Sequence, residues 1–369
     1  MPCVMVLRRP GSYLYAATAR DIDASHTAKY GILGCMEQVH PSHQQEQLAP
    51  FKLAPYYSTR VWGFEDLAPW FEKKAAPGEP IGEAWLTGPD SIVASGDLAG
   101  QKFAAVVKQH AQAILGSAFA SEGEYPLLIK VLFPREKLSV QVHPDDVLAQ
   151  QKGEPRGKTE CWYILESEPG AKVALGLKPG VTPDAVRSAI EDKSLEDLLG
   201  WVPVEAGDMV YVDAGTVHAI WPGVVILETQ QTSDTTYRLY DYGRPRELHV
   251  EASIEAMRVE TAAGKIAPEA GTQGESVLVD KTYFRVERWP HKTEALYAAV
   301  AATQDPQLLF VVEGALQVTG EGFEPFTLNR CELAVIPAHA LAWKLGGDAE
   351  VMRILPQGGS VERSAQIVA

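Results

Sequence analysis

The feature that most constrains the fold of this chain is a β-rich pattern that occurs twice. Residues 208–214 read DMVYVDA and residues 332–338 read ELAVIPA, so each copy has an acidic residue, an apolar run and a final alanine. The alternation of apolar and polar residues in both halves is typical of antiparallel sheets that close into barrels. The repeat therefore predicts two β-barrels. Four residues after the first copy comes His218, and the matching position after the second copy is Ala342.

Four polar side chains form a second pattern around the first copy. Gln141 and His143 alternate within the segment SVQVHPD at 139–145, so an extended strand directs both toward the same space. Glu160 and His218 lie in two further β-rich segments that are each able to reach that space. A single histidine in a strand is more often buried than metal-bound, but an amide, two imidazoles and a carboxylate together suit Zn²⁺ or another divalent transition metal.

The joint pattern resembles the cupin superfamily and, within it, the type I phosphomannose isomerases. Residues 207–218 resemble the second cupin motif, and residues 141–143 resemble the first motif with Gln141 in place of its first histidine. The other segments similar to that family are PYY at 55–57, VWG at 61–63, IGEAW at 81–85, SDTTYR at 233–238 and RELH at 246–249. The similarity covers roughly residues 48–357, and GKTECWY at 157–163 is similar to the short bacterial branch.

The resemblance implies a mainly β fold of two cupin (jelly-roll) barrels, with a helical insertion and helices packed on the first barrel. It implies one zinc ion per chain, although the donor set leaves other divalent transition metals open. The zinc ligands that it implies are Gln141, His143, Glu160 and His218. The residues that it implies at the substrate are Ser139 on the phosphate side, Lys158 in contact with the sugar, Arg238 as the catalytic arginine and Asp234 as a candidate for proton transfer.

The function implied by the resemblance is reversible aldose–ketose isomerisation of mannose 6-phosphate and fructose 6-phosphate through a metal-stabilised enediol(ate). Two alternatives remain open: a sugar-phosphate-binding cupin without activity, acting as a sensor or regulator, and a cupin isomerase of another sugar phosphate. The base that moves the proton also remains open among Lys158, Asp234, Glu228 and a metal-bound water.

One departure from the cupin pattern is Asp213, which stands where the second motif has a proline. The chain loses a fixed φ angle there, although aspartate is a good turn residue. The substitution also places a carboxylate near the expected rim of the metal site. We expect the site to hold zinc all the same.

The net charge of -15 argues against nucleic acid or an anionic membrane as the main partner. An anionic sugar phosphate then needs local cations, and the candidates are Lys158 and Arg238, with Arg156 and Arg244 nearby in sequence. The oligomeric state is not predicted.

The four cysteines, Cys3, Cys35, Cys161 and Cys331, form no C-x-x-C pair and suggest no disulfide framework. Strand alternation directs Cys161 away from its neighbour Glu160, so we expect it to pack in the core. No apolar run approaches the length of a membrane span. Together these features predict a cytoplasmic protein.

Three segments are predicted along the chain: a poorly patterned N-terminal extension at 1–46, a metal-binding cupin domain with helical segments at 47–262, and a second, metal-free cupin-like domain at 263–369. Within the metal-binding segment, apolar spacing predicts a helix over 101–115 that ends at Gly116, a buried strand at 127–133, and a helical insertion over 181–199 that Thr182 caps.

Overall fold

The computed structural model describes the backbone of residues 4–9 and 12–18, and residues 46–291 and 293–358 in full. The strands, in chain order, are β1 (Val4–Arg9), β2 (Ser12–Thr18), β3 (Phe51–Ala54), β4 (Tyr56–Phe64), β5 (Ile81–Trp85), β6 (Ile92–Val93), β7 (Leu127–Leu132), β8 (Val140–Val142), β9 (Glu160–Ser167), β10 (Lys172–Leu177), β11 (Leu199–Pro203), β12 (Met209–Val212), β13 (His218–Ile220), β14 (Val224–Gln231), β15 (Tyr237–Tyr240), β16 (Gly264–Ile266), β17 (Glu269–Ala270), β18 (Ser276–Lys281), β19 (Phe284–Trp289), β20 (Gln307–Gly320), β21 (Phe326–Asn329), β22 (Leu333–Ile336) and β23 (Trp343–Pro356).

Helices are fewer than strands in the described part of the chain. They are α1 (Phe103–Gln109), α2 (Ala111–Phe119), α3 (Asp146–Gln151), α4 (Pro183–Glu191), α5 (Val250–Ala256) and α6 (Thr293–Ala301), with 3₁₀ turns at Ala120–Glu122 and Leu195–Leu198. None of these helices is long and apolar enough to cross a membrane. The mainly β prediction is confirmed.

Two sheets face each other in the first half of the molecule. The larger has seven strands in the order β16-β12-β9-β14-β7-β5-β4, and the smaller has five in the order β11-β10-β13-β8-β15. Trp162 and Ile226 of the larger sheet pack with Val173 and Ile220 of the smaller one in a single buried cluster. Burying apolar side chains between the sheets holds them together, and it brings the polar residues at the end of this core into one space.

The third sheet contains nine strands, in the order β17-β18-β19-β23-β20-β22-β3-β6, with β21 paired to β20. Most of these strands come from the carboxyl-terminal part of the chain, but β3 and β6 precede the metal-binding strands. β16, which follows the predicted boundary at 262, pairs instead with β12 of the seven-stranded sheet. Strand pairing therefore crosses that boundary, and the domain limits themselves stay a prediction.

In the first 45 residues, β1 pairs antiparallel with β2, with Val6 opposite Ala16. This pair of strands lies in the segment that the sequence leaves poorly patterned. The extent of an N-terminal extension also stays a prediction.

The two copies of the sequence pattern form matching strands, β12 and β22, each buried at all four positions. The turns before them also match. Asp208 accepts a hydrogen bond from the backbone N–H of Glu205 at 2.7 Å, and Glu332 accepts one from the N–H of Asn329 at 2.8 Å. In each copy the acidic residue thus fixes the turn that leads into the strand.

The predicted strand at 127–133 and the helical insertion at 181–199 are both present. β7 is buried along its whole length. Thr182 caps α4 by accepting a hydrogen bond from the N–H of Ala185 at 3.2 Å. A 3₁₀ turn at Leu195–Leu198 completes the insertion.

The helix predicted over 101–115 is divided into α1 and α2 rather than continuous. His110 leaves the helical region with φ -118° and ψ 34°, and it separates the two helices. Gly116, where the sequence predicts the end of the helix, has a φ of 67° and interrupts helical geometry inside α2, which continues to Phe119. Phe103 and Ile114 pack in a cluster with Ile129 of β7, so both helices cover the outer face of the seven-stranded sheet.

Candidate metal centre and adjoining cavity

The two facing sheets bring the four predicted metal ligands together. Gln141 on β8 lies directly opposite His218 on β13, and His143 follows β8 by one residue. Glu160 begins β9 in the other sheet, so it approaches from the opposite side. One donor atom from each of His143, Glu160 and His218 lies within 4.8 Å of the other two. Glu160 Oε1 is 3.5 Å from Nε2 of His218, and Oε2 is 3.7 Å from Nε2 of His143.

Both histidines present the same ring nitrogen to this space. Nδ1 of His143 is 2.9 Å from the carbonyl of Thr235, and Nδ1 of His218 is 2.9 Å from the carbonyl of Thr216. Because a carbonyl only accepts hydrogen bonds, each Nδ1 carries the proton and each Nε2 offers a lone pair. Burial lowers the pKa of both rings, that of His218 to about 4. Both are therefore neutral near pH 7, as metal binding requires.

Glu160 supplies the main observation in favour of a cation. Its side chain is 1% exposed, and its Oε1 accepts no hydrogen bond among the described residues. Lys158 Nζ lies 2.8 Å from Oε2 as an ion-pair partner. A buried carboxylate is costly unless its oxygens are satisfied. Two imidazole lone pairs beside a carboxylate oxygen without a partner therefore fit a divalent metal.

Gln141 completes the set at its edge. Its Nε2 is 3.2 Å from Nε2 of His218, while Ser139 donates a hydrogen bond to its Oε1 at 3.2 Å. A ligand role for Gln141 requires the amide oxygen where Nε2 now lies, because only the oxygen has a lone pair to donate. The role of the four residues as ligands remains a prediction.

Lys158 lies within the cluster rather than beside it. Its Nζ is 3.1 Å from Nε2 of His143 and is buried together with Glu160. Burial disfavours the ammonium form, but the negative charges of Glu160 and Glu228 outweigh it and raise the pKa of Lys158 above its ordinary value. Lys158 is therefore an ammonium ion at neutral pH.

A second buried lysine, Lys130, was missed by sequence reasoning. It lies on β7 opposite Glu228 of β14, with Nζ 3.5 Å from Oε2 of Glu228, 3.7 Å from Oδ1 of Asp234 and 4.6 Å from the ring centre of Trp85. Glu228 also accepts a hydrogen bond from Trp162 at 3.2 Å, and burial raises its pKa. The signal was available, because Lys130 interrupts an otherwise apolar strand.

A cavity of about 440 Å³ opens beside the cluster. This volume is within the range of small-ligand pockets. The predicted substrate residues Ser139, Lys158, Asp234 and Arg238 all line it. Asp234 is at its edge, with a side chain that is 62% exposed. The further polar residues that line the cavity are Thr59, Arg60, Glu83, Lys130, Gln141, Glu228, Thr236 and Arg246.

Two of the four suggested cations are not among the residues that line this cavity. Arg156 pairs with Glu124 at 2.6 Å and Glu122 at 3.4 Å. Arg244 donates to Glu136 at 2.9 Å. Arg60 and Arg246 line the cavity in their place. Their strands and loops are far apart in sequence, so spacing alone did not identify them.

Asp213 braces its own turn instead of approaching the metal rim. Its Oδ1 accepts a hydrogen bond from Thr216 at 2.8 Å, and its Oδ2 accepts one from the N–H of Ala262 at 3.0 Å. Asp213 is not one of the clustered donors, which are His143, Glu160 and His218. The expectation that it brings a carboxylate to the site is therefore wrong, because one oxygen is bonded in its own turn and the other to the distant residue Ala262. Cys161 is buried in the hydrophobic core, as predicted.

Comparison with known proteins settles the family. A family profile for the catalytic domain of type I phosphomannose isomerase matches residues 50–175. A mannose-6-phosphate isomerase from Streptococcus mutans serotype c is 33% identical over 316 residues, which cover 82% of this chain and 97% of that protein. The chain belongs to the type I phosphomannose isomerase family. The resemblance inferred from the sequence is thereby confirmed.

Solved structures of phosphomannose isomerases share the fold. The mannose 6-phosphate isomerase of Bacillus subtilis superposes with a TM-score of 0.71 at 28% identity, covering 83% of this chain and 99% of that one. A mannose 6-phosphate isomerase bound with zinc and yttrium superposes with a TM-score of 0.65 at 17% identity, covering 84% and 100%.

Proposed function

We propose that this chain interconverts mannose 6-phosphate and fructose 6-phosphate. The observation that carries the proposal is the junction of a metal-type His-Glu-His cluster with a cavity lined by lysines and arginines, in a member of this isomerase family. The two sugars differ in whether the carbonyl is at C1 or C2. Their interconversion needs a proton moved between adjacent carbons and negative charge stabilised on the sugar oxygens.

The proposed cofactor is one Zn²⁺ per chain, held by His143, Glu160 and His218 with Gln141. The nitrogen and oxygen donors suit zinc, and one solved isomerase of this fold contains it. When bound, the metal polarises substrate oxygens as a Lewis acid. The Oε1 of Glu160, which has no hydrogen-bond partner among the described residues, supports this assignment independently of the family.

Lys158 and Arg238 supply positive charge to the sugar oxygens in this proposal. Both line the cavity, and each is positioned by the fold: Lys158 by Glu160, and Arg238 by a hydrogen bond from Nη1 to the carbonyl of Glu247 at 2.9 Å. Pre-placed cations in a pocket that excludes water stabilise an enediolate without reorganising at the moment of reaction. Ser139 is proposed to contact the substrate on the phosphate side.

Asp234 is proposed to move the proton, because its carboxylate is open to the cavity beside Lys130. Glu228 is the alternative, and it is buried against the same lysine. Comparing Asp234→Asn with Glu228→Gln separates the two, since the base is the residue whose loss removes exchange of the substrate proton with solvent while bound metal is retained.

The direct test is isomerisation of mannose 6-phosphate by the purified protein before and after chelation, with Zn²⁺ then added back. Activity lost to the chelator and restored by zinc is the expected result. A protein that holds one metal per chain and leaves mannose 6-phosphate unchanged would refute the substrate assignment. Turnover of another sugar phosphate would then identify a different isomerase, and binding without turnover would identify a sensor.

A cytoplasmic location is proposed on separate grounds. Cys161 and Cys331 are buried free thiols, as in proteins of reducing compartments. Fractionation of the source cells, followed by immunodetection, tests it.

A further inference from the structure

Three arginines line the cavity, but they differ in how fully their nitrogens are used. Arg60 donates from Nε and Nη2 to the two oxygens of Glu83, each at 3.0 Å, and from Nη1 to Ser58 at 2.6 Å. Each of its three nitrogens therefore already has a protein partner. Arg238 uses Nη1 for the carbonyl of Glu247.

Arg246 differs because one of its nitrogens remains available. Its Nε donates to Oδ2 of Asp241 at 2.6 Å and its Nη2 donates to Oδ1 at 2.7 Å. Among the described residues, Nη1 has no hydrogen-bond partner, and the side chain is 25% exposed. A two-pronged bond to one carboxylate fixes the plane of a guanidinium. Arg246 is thus held rigid with one pair of N–H groups free.

Asp241 is the buried carboxylate that directs this arrangement. Its Oδ1 also accepts a hydrogen bond from Nη1 of Arg244 at 3.1 Å. Arg244 turns away from the cavity lining and bonds to Glu136 and to the carbonyl of Lys137, each at 2.9 Å. One carboxylate therefore orients two arginines in different directions, and only one of them lines the cavity.

The backbone after Asp241 is also held in an unusual shape. Tyr242 has a φ of 56°, in the left-handed region that bulky residues rarely adopt. Such a conformation persists only where the surrounding structure determines it. This fits a loop whose shape is set around the Asp241 carboxylate.

The charges at this part of the cavity favour an anion. Burial lowers the pKa of the Arg238 guanidinium, and the positive charges of Arg246 and Arg60 lower it further. Nε of Arg238 is buried without a hydrogen-bond partner among the described residues. Like charges brought together disfavour one another unless an anion compensates them. In a chain with a net charge of -15, three arginines on one cavity form a local exception that suits an anionic ligand.

We propose that Asp241 is a positioning residue, which holds Arg246 so that its free Nη1 binds the phosphate of the sugar phosphate. The inference rests on the proposed function for the identity of the substrate. The chemistry that it assigns is recognition of a phosphate by a pre-oriented guanidinium.

The test measures affinity for inorganic phosphate by titration calorimetry on the zinc-loaded, full-length protein, together with kcat and KM for mannose 6-phosphate. Arg246→Met is expected to weaken phosphate binding and raise KM by about 10- to 100-fold, since it removes a hydrogen bond to a charged group. The value of kcat should change by less than about threefold, because the phosphate contact is present in both the ground state and the transition state and its loss affects both equally. Arg246→Lys should recover part of the phosphate affinity, because it keeps the charge but loses the fork.

Asp241→Asn tests the positioning role. It should weaken phosphate binding by about 5- to 10-fold, because an amide cannot accept both arms of the guanidinium. Arg244→Met is the matched control, since Arg244 shares the same carboxylate and does not line the cavity. Its phosphate affinity should stay within about twofold of the parent, because its guanidinium bonds to Glu136 and to the carbonyl of Lys137 and does not line the cavity.

An Arg246→Met protein with unchanged phosphate affinity would overturn the inference. Equal losses of phosphate affinity in Arg246→Met and Arg244→Met would also overturn it. The effect would then arise from disturbing the loop and not from removing Nη1 of Arg246. If Asp241→Asn does not fold, the Arg246 and Arg244 pair still decides. Phosphate binding that depends on Arg246 in a protein without isomerase activity would sustain this inference while refuting the proposed function.

Discussion

Two of the buried polar clusters among the described residues are satisfied to different degrees. In the nine-stranded sheet, Arg353 donates to Gln307 at 2.6 Å, to Glu287 at 3.1 Å and to the carbonyl of Ala299 at 3.2 Å. Glu287 in turn accepts hydrogen bonds from Arg285 at 2.6 Å and from Trp289 at 2.9 Å. Every charge in this cluster has protein partners, so it needs no ligand.

The cluster between the two facing sheets differs, because its polar atoms do not all have protein partners. Glu160 is buried, its Oε1 has no hydrogen-bond partner among the described residues, and His143 and His218 direct their Nε2 lone pairs toward it. Because unsatisfied buried polar groups are rare and costly, they mark a place where something else binds. The satisfied cluster therefore supports the structure, and the unsatisfied one indicates a site.

The repeated sequence pattern shows the same difference in simpler form. β12 and β22 are matching buried strands with matching carboxylate-braced turns. After the first comes His218, which joins the metal-type cluster, and after the second comes Ala342, which has no group able to bind a metal. Two similar strand-and-turn units therefore differ in their ability to bind a metal because different side chains follow them.

Glu160→Gln tests whether the incompletely satisfied cluster is a metal site, and it should have the greatest effect of the variants considered. The change removes a carboxylate that the structure leaves available for a cation, so bound zinc should fall below about 0.1 per chain and turnover should fall at least about 1,000-fold. Metal content by plasma mass spectrometry and the isomerase assay measure both. A far-ultraviolet circular dichroism spectrum that matches the parent would show that the variant is folded, so that the loss belongs to the site. A variant with normal zinc content would refute the ligand assignment.

Arg238→Met tests the cations that line the cavity. We expect kcat to fall by about 100- to 1,000-fold, since one fixed donor to a developing oxyanion is lost. Zinc content should stay at the parent level, which separates this effect from metal loss. Near-normal turnover would remove Arg238 from the mechanism.

Glu287→Gln tests the satisfied cluster, where we expect a loss of stability without a loss of activity. Removing one partner of a buried ion pair should lower the free energy of unfolding by about 3 kcal/mol at pH 7. Per folded molecule, zinc content and turnover should remain within about twofold of the parent, because Glu287 lies in the other sheet. Urea denaturation with parallel activity measurements gives both values, and a loss of activity without a loss of stability would reverse the roles of the two clusters.

The same variant carries a pH dependence. Burial alone would raise the pKa of Glu287, but hydrogen bonds from Arg285 and Trp289 and the charges of Arg353 and Arg285 lower it below the ordinary value of 4.5. The carboxylate therefore contributes stability above pH 4.5 that is lost as the pH falls through the folded-state pKa. The difference in stability between parent and variant should shrink below that pH, and a difference that grows instead would contradict the assignment.

The smallest expected effects are in the two matching turns. Asp208→Asn and Glu332→Gln each weaken a carboxylate bond to a backbone N–H, so each should cost about 1 kcal/mol of stability. Because the turns match, the two values should agree within about 0.5 kcal/mol, and they should add in the double variant. Both acids also form a salt bridge, Asp208 with Lys265 and Glu332 with Lys52, so unequal values would show that these pairs contribute differently.

Local order in the chain was sufficient to predict much of the fold. Strand alternation placed Gln141 and His143 on one face, and capping residues located α4 at Thr182. These features depend on neighbours in sequence, so they can be read without knowing the fold. The break at His110 could not be predicted, because apolar spacing continues through it.

By itself, the sequence determined the mainly β architecture, the family and the set of residues that converge at the candidate metal centre. These properties depend on the types of side chain and on their alternation along a strand, and both are visible in a short stretch of sequence. Only the tertiary structure decided which charges share the cavity. Lys130, Arg60 and Arg246 come from separate strands and a loop that the fold brings together. Asp213 uses one oxygen in its own turn and the other for the backbone of Ala262, 49 residues away. Such choices depend on distances across sheets and on which partners already satisfy each polar atom, and neither is expressed in the order of residues along one strand.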